Sequence, residues 1–311
     1  MHNATALENH EAQPFTATHR VRIDCAYDGS LFSGWAAQPN LVTVQGAIEN
    51  ALELILRAPH RVVVAGRTDA GVHAEAQTLH CDLNDEDWTR LQGRTGEDDP
   101  TAALGRRLTG ALQRCLYDAE EQLNLPKNVR GILQGAIQIH RVSEVSFEFD
   151  ARFSATGRRY VYRIADGAAD GLNPLHRTYT WAVPEHLDCA DLNQSAQQLL
   201  GLRDFLSFCK PREGATTIRE LRELSFTRTE SGFCHHMVRS LVGALVLYGT
   251  GKRDAAWLRE RIENPGREAS LTLAPPHALA LAEIYYPAPE LYGEQAERAR
   301  AKREDHEAQS A

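Results

Sequence analysis

Between His19 and Tyr27 apolar side chains fall on every second residue: Val21, Ile23, Cys25 and Tyr27 alternate with Arg22, Asp24 and Ala26. A period of two puts one set of side chains on one face, the signature of a half-buried strand. That stretch rules out an all-helical bundle, and similar runs recur. Val62–Val64, Gln77–Leu83, Ile137–Val142, Phe147–Phe149, Leu221–Thr227 and Ala278–Tyr285 read as strands. Arg158 to Ile164 alternates cleanly, with Tyr160, Tyr162 and Ile164 on one face.

Helical spacing separates some of these runs and not others. Thr43 is placed to cap a helix in which Ala47, Ile48, Ala51, Leu52, Ile55 and Leu56 share a face. Leu104–Leu116 and Leu192–Leu200 read as helices. So does Met237–Tyr248, ended by Gly249 and Gly251. Asp254 caps a further short helix that stops before Pro265. The order is β-α-β-β, then α-β-β-β-α-β-α-α-β. Successive strands with no helix between them pair antiparallel, so the expected class is α+β. Residues 1–18 have no periodicity and read as a disordered leader without a basic start or apolar run. Residues 84–100 read as a polar surface connection, and 290–311 as a charged, solvated tail.

Composition removes whole classes. No run approaches the roughly 18 apolar residues of a membrane span. The six cysteines, at 25, 81, 115, 189, 209 and 234, contain no CxxC pair. They read as reduced thiols in a cytoplasm. A net charge of −8 argues against a surface that grips nucleic acid everywhere, while leaving room for a local basic cleft. There is no Walker A loop and no GxGxxG, so nucleotide-cofactor chemistry has no support.

Asp69 is the most informative position. It lies in Gly66-Arg67-Thr68-Asp69-Ala70-Gly71, a loop bracketed by glycines at the end of a strand. A carboxylate beside an arginine keeps its charge, which suits a nucleophile or a general base. The plainer reading is a tight turn in which the aspartate bonds its own backbone. His73-Ala74-Glu75 is half of the zinc nucleobase-deaminase signature, but the PCxxC half is missing. His235, His236 and Arg239 begin the Met237–Tyr248 helix, with His235 and Arg239 on one face. An arginine on a buried helix needs a partner, and Asp69 is a candidate. Tyr160 is either an aromatic packed on a sheet or a base-stacking ring. Lys210, Arg212 and Arg219 with Phe205 and Phe208 form a looser basic and aromatic patch.

Four segments in order resemble the tRNA pseudouridine synthase A family. They are Tyr27-Asp28-Gly29-Ser30 with Gly34-Trp35; Ala65 through Ala74; Ala151 through Thr156 with Arg158 through Tyr162; and Phe233 through Gly243. The chain departs from the family pattern at Ala36, where a glutamine often follows the tryptophan, and at Ala278, where a glycine often precedes the leucine. The resemblance implies two α/β domains with mainly antiparallel sheets, residues 19–150 and 151–289, flanking a tRNA-binding cleft. It implies isomerisation of uridine to pseudouridine at positions 38, 39 and 40 of the tRNA anticodon stem–loop by a homodimer without metal or cofactor. Asp69 would be catalytic, supported by Arg239, Arg67 and a base-stacking Tyr160. Arg158, Arg159, His73, His235 and Lys210 would bind RNA. A catalytically silent RNA-binding module and a zinc deaminase are the rival readings.

Overall fold

The computed structural model describes residues 16–123, 126–167, 172–209, 217–229, 232–234, 239–266 and 273–309. Strand β1 (His19–Tyr27) leads through a loop to helix α1 (Val44–Leu56), then to β2 (Val62–Val64) and β3 (His73–Leu83). Helices α2 (Asp85–Leu91) and α3 (Pro100–Gln122) precede β4 (Ile137–Val145). Thr43 caps α1 as its sequence predicts, its Oγ1 accepting the Gly46 amide at 3.2 Å. The apolar stripes of the two long helices cover one face of the sheet. Ile48, Leu52 and Leu56 of α1 and Leu104, Leu108, Leu112 and Leu116 of α3 are buried against Val21, Ile23, Cys25, Leu79 and Cys81.

The second half follows with β5 (Gly157–Tyr162), β6 (Ile164–Asp166), β7 (Trp181–Val183), α4 (Cys189–Gln197), β8 (Gly201–Asp204) and β9 (Ile218–Leu221). Then come β10 (Thr227–Thr229), β11 (Gly232–Cys234), α5 (Arg239–Gly249), α6 (Ala255–Glu263), β12 (Leu279–Tyr285) and α7 (Tyr292–Gln309). Asp254 caps α6, its Oδ1 taking the Trp257 amide at 2.8 Å. Helix α5 is buried from Ser240 to Val246, as its nearly unbroken apolar sequence requires. It centres a second apolar cluster with Leu192, Phe205, Leu224, Leu258 and Leu279.

One sheet joins the two halves. Its strand order is β4-β1-β3-β12-β5, with β2 also paired to β3. Pairing is antiparallel except between β12 and β3, which run parallel. The short β6–β7 pair is parallel too. The sheet is thus mainly antiparallel, as expected, with the β12–β3 and β6–β7 pairs as the exceptions. β12 reaches β3 only after the chain has crossed the second half, and so long a crossover permits either direction.

Other expectations change. The 84–100 segment is not merely a surface link: Asn84 and Asp87 form a reciprocal capping box that starts α2, and Leu91 is fully buried. Asp87 also meets the buried His60, Nε2 to Oδ2 at 2.8 Å. Among its described residues the 290–311 segment is a helix seated at its start rather than a loose tail. It contains α7, whose Tyr292 and Ala296 are buried. Phe147 to Phe149 form a turn rather than a strand, with Phe149 buried and Phe147 exposed. The Arg158–Ile164 run breaks at Arg163, whose amide bonds Ala278 and whose carbonyl receives Trp181. The run expected at Leu221–Thr227 is two strands, β9 and β10, on either side of an irregular stretch. Met237 and Val238 lie outside the described residues.

If α2 is part of the core, Leu91→Ala removes packing that a surface loop does not have. The expected loss of unfolding free energy is about 2–5 kcal/mol. Urea denaturation measures it, and a change under about 0.5 kcal/mol would return the segment to the surface.

Candidate active site

The loop between β2 and β3 is held from every side by its backbone. Thr68 carbonyl accepts the Trp35 amide at 3.0 Å, and the Gly71 amide reaches Phe32 carbonyl at 3.3 Å. Tyr27 Oη meets Thr68 Oγ1 at 2.8 Å, and Gln77 Nε2 donates to Gly66 carbonyl at 2.8 Å. Such bonds fix the main chain and leave Asp69 itself free to face outward. Its side chain is 64% exposed.

Two glycines explain how the β1–α1 connection approaches so closely. A Cβ on Gly29 would fall 2.0 Å from Val72 carbonyl oxygen, an impossible contact with rigid backbone. Gly34 has φ +90° and lies against Thr68–Ala70 backbone, so a side chain there meets both strain and crowding. The Tyr27-Asp28-Gly29-Ser30 and Gly34-Trp35 motifs thus form a wall for the Asp69 loop.

Arg239 arrives from the far half. Its Nη1 stands 3.2 Å from Asp69 Oδ2, and its Nε donates to Ala274 carbonyl at 2.7 Å. Only 17% of the Arg239 side chain is exposed, so this guanidinium is pinned by main chain while presenting one edge to the carboxylate. Tyr160 enters through the sheet. It is opposite Leu281 of β12, and Leu281 is opposite Ala74 of β3, so one row spans the three strands. Burial raises the Tyr160 phenol above its ordinary value; Arg158 opposes the rise and Asp69 adds to it. The ring is therefore neutral at physiological pH. Beside it opens a cavity of about 620 Å³, walled in part by Arg159, Phe205, Phe208, Arg219, Arg222 and Tyr285.

The structure separates the basic residues into two kinds. Arg67 is exposed, and no ion pair or side-chain hydrogen bond holds it among the described residues. Arg219 and Arg222 reach the cavity, with Arg222 also bonded to Glu220 at 2.9 Å. Neither Arg222 nor the Glu283 partner of Arg159 (3.1 Å) was singled out by sequence. Arg158 lines the cavity as well, but its guanidinium is anchored on main chain. Its Nη2 donates to Ala65 carbonyl at 2.5 Å and Arg152 carbonyl at 3.2 Å. His73, grouped by the resemblance with the RNA contacts, is turned inward, its side chain 14% exposed. His235, His236, Lys210 and Arg212 lie outside the described residues.

His73 joins three segments instead. Its Nδ1 is 3.1 Å from Asp28 Oδ1 and 3.2 Å from the Gly29 amide. Its Nε2 is 2.9 Å from His277 carbonyl and 3.2 Å from Thr178 carbonyl. Both ring nitrogens are used, and Glu75 is bound to Arg163 at 2.8 Å. The histidine that a zinc reading of His73-Ala74-Glu75 would use as a ligand, and the glutamate it would use as a general acid–base, are therefore both engaged elsewhere. Among the described residues no three His, Cys, Asp or Glu side chains converge on a metal site.

An aspartate and an arginine from distant parts of an α+β chain thus meet near a neutral aromatic ring. The sequence profile of the family described as tRNA pseudouridine synthase matches residues 195–287. The chain is 40% identical to the tRNA pseudouridine synthase A of Streptomyces avermitilis over 298 residues, covering 91% of this chain and 94% of that protein. It is likewise 40% identical to that of Frankia casuarinae, covering 91% and 95%, and 41% identical to that of Leifsonia xyli, covering 91% and 97%. The chain belongs to the tRNA pseudouridine synthase A family.

The His73 contacts carry a pH dependence. Burial lowers the His73 pKa, but Asp28 and the two carbonyls outweigh it, and the net shift is upward. Asp28 is held far below the usual carboxylate range, chiefly by its bond to His73. A histidine raised in the folded state adds stability that is complete below its unfolded pKa of about 6.5 and fades as pH rises through the folded value. The stability difference between wild type and His73→Gln is therefore expected to be larger at pH 6 than at pH 9. Paired urea titrations measure it, and a difference that grows with pH would contradict the clasp.

Proposed function

We propose that this chain isomerises uridine to pseudouridine in tRNA, with Asp69 as the catalytic residue. The observation that carries the reading is the Asp69–Arg239 pair, set in a rigid loop beside Tyr160. Isomerisation breaks the N1–C1′ bond, turns the base and joins C5 to C1′. N1 gains a proton and C5 loses one, so atoms and electrons balance without a redox partner. A nucleophile and a general base both need the negative charge at Asp69. Arg239 keeps that charge oriented while its own position is set by Ala274 carbonyl.

A stacked base must leave the RNA before its glycosidic bond can be reached. The neutral Tyr160 ring offers a stacking surface, a contribution of about 1–3 kcal/mol per base. Arg67, Arg159, Arg219 and Arg222 supply the positive rim for phosphates, with His235 and Lys210 in the same role by family resemblance. Their local charge allows a chain of net charge −8 to hold a polyanion. The target by family resemblance is the anticodon stem–loop, at positions 38, 39 and 40. No metal or cofactor takes part in this reading. The expected domain division near residue 150 belongs to it too, with β5 and β12 as the shared seam. The working form is a homodimer in the cytoplasm, because two subunits give a longer basic track for a large RNA. Sedimentation should give twice the chain mass, and a monomer at working concentration would exclude that form.

Single-turnover assays with mapped pseudouridine test the catalytic assignment. Asp69→Asn should lose activity by at least about 10³-fold. The pair is largely solvent-exposed on the Asp69 side, so unfolding free energy should change by no more than about 1 kcal/mol. A folded Asp69→Asn protein with near wild-type turnover removes Asp69 from catalysis. Tyr160→Phe keeps the π-face and should retain far more activity than Tyr160→Ala. If both are equally dead, the hydroxyl rather than the ring is what the reaction needs.

A further inference from the structure

The charged C-terminal segment, which the sequence leaves to solvent, touches the part of the chain that supports the Asp69 loop. Helix α7 begins at Tyr292, whose carbonyl accepts Ser154 Oγ at 3.1 Å; Ser154 is fully buried. Two turns on, Arg300 Nη2 donates to Asp150 Oδ2 at 2.9 Å, and its guanidinium lies 5.0 Å from the centre of the Phe153 ring. Three contacts from one helix therefore reach residues 150, 153 and 154.

Those residues form a closed turn. Asp150 Oδ1 accepts the amides of Arg152 and Phe153 at 2.8 and 2.9 Å. Ser154 returns its amide to Asp150 carbonyl at 2.8 Å, and its hydroxyl accepts the Asp150 amide at 3.0 Å. The sheet grips the same turn from beneath. His80 Nδ1 accepts the Ala151 amide at 3.0 Å, and Tyr286 Oη donates to Ala151 carbonyl at 2.7 Å. Burial, helped by Arg20, brings the His80 pKa down to about 4, so the ring is a neutral acceptor at physiological pH. Arg152 carbonyl is thereby fixed in space, and it is one of the two carbonyls that hold Arg158. The other is Ala65 carbonyl, at the root of the Asp69 loop. A Cβ on Gly66 would lie 3.2 Å from Arg158 Nε, which shows how closely that guanidinium lies on the loop.

We propose that α7 is a positioning element for the reaction: Arg300 holds the Asp150–Ser154 turn, the turn holds Arg158, and Arg158 holds the backbone from which Asp69 projects. The proposal rests on Asp69 as the catalytic residue. It makes Arg300 a positioning residue with no contact to RNA and gives Arg158, which also lines the cavity, a positioning role through the loop backbone. Loosening the loop displaces the reacting carboxylate without removing a substrate contact, so kcat should fall while KM for tRNA holds.

The full-length chain is compared as wild type, Arg300→Gln and Arg300→Lys by two readouts. In steady-state assays with tRNA, Arg300→Gln should lower kcat by roughly 3- to 30-fold with KM within about twofold. Arg300→Lys, which keeps the charge opposite Asp150, should recover at least about half of the lost activity. In hydrogen exchange, the amides of Ala65, Gly71 and Val72 should exchange several-fold faster in Arg300→Gln, while peptides from α5 stay unchanged. These amides are bonded to Thr78, Phe32 and Asp69 carbonyls and report the loop directly. Unchanged kcat and unchanged loop exchange overturn the proposal, even if the melting temperature drops. A rise in KM alone overturns it too, by making Arg300 an RNA contact. If wild type forms no pseudouridine, the catalytic reading fails, and the exchange arm still decides whether α7 braces the loop.

Discussion

Leu281 lies between Ala74 and Tyr160 in the sheet, and the site depends on that row. β3 carries the exit of the Asp69 loop, and β5 carries the aromatic ring. Neither strand bonds the other directly; β12, from nearly the end of the folded chain, fills the gap between them. Main-chain hydrogen bonds tolerate little slippage, and a shift of one residue would turn Tyr160 to the opposite face. The distance between carboxylate and ring is thus set by strand register rather than by side-chain flexibility.

Around that row the protein uses its cations in two ways. Arg158, Arg239 and His73 bind carbonyl oxygens, and Arg239 and His73 also meet the Asp69 and Asp28 carboxylates. Such bonds hold backbone segments together around the Asp69 loop. Arg67, Arg219 and Arg222 stand further out, where solvent or a polyanion can reach them. A preorganised inner set and an adaptable outer set suit a reaction whose substrate must be remodelled before chemistry begins.

The polar face of the sheet has a similar economy. Arg20 grips Asp82 through two nitrogens at 2.6 and 2.7 Å and also donates to Phe147 and Phe149 carbonyls. Arg22 stacks over Tyr286 at 4.9 Å. Residues 146–154 and the start of α7 thereby gain a firm seat on strands that an apolar count alone would assign to solvent. The sheet is covered on both faces, by α1 and α3 on one and by this polar and aromatic layer on the other.

The chain by itself determined the local elements whose residues interact within a few positions. The alternation of β1, the Thr43 cap and stripe of α1, the Asp254 cap of α6 and the apolar body of α5 are all written in short-range spacing, and all form. The glycine-bracketed loop also marked Asp69, because glycine at such positions has a local steric cause. What lay beyond reach depends on contacts over a hundred residues or more. The parallel seating of β12, the bond of His73 to His277 carbonyl and the grip of α7 on Asp150 join segments 150 to 207 residues apart. Periodicity cannot tell whether an arginine meets phosphate or a carbonyl. Only the tertiary fold brings the Ala65 and Arg152 carbonyls to Arg158 and the His277 carbonyl to His73, because those partners are adjacent only once the distant strands have paired.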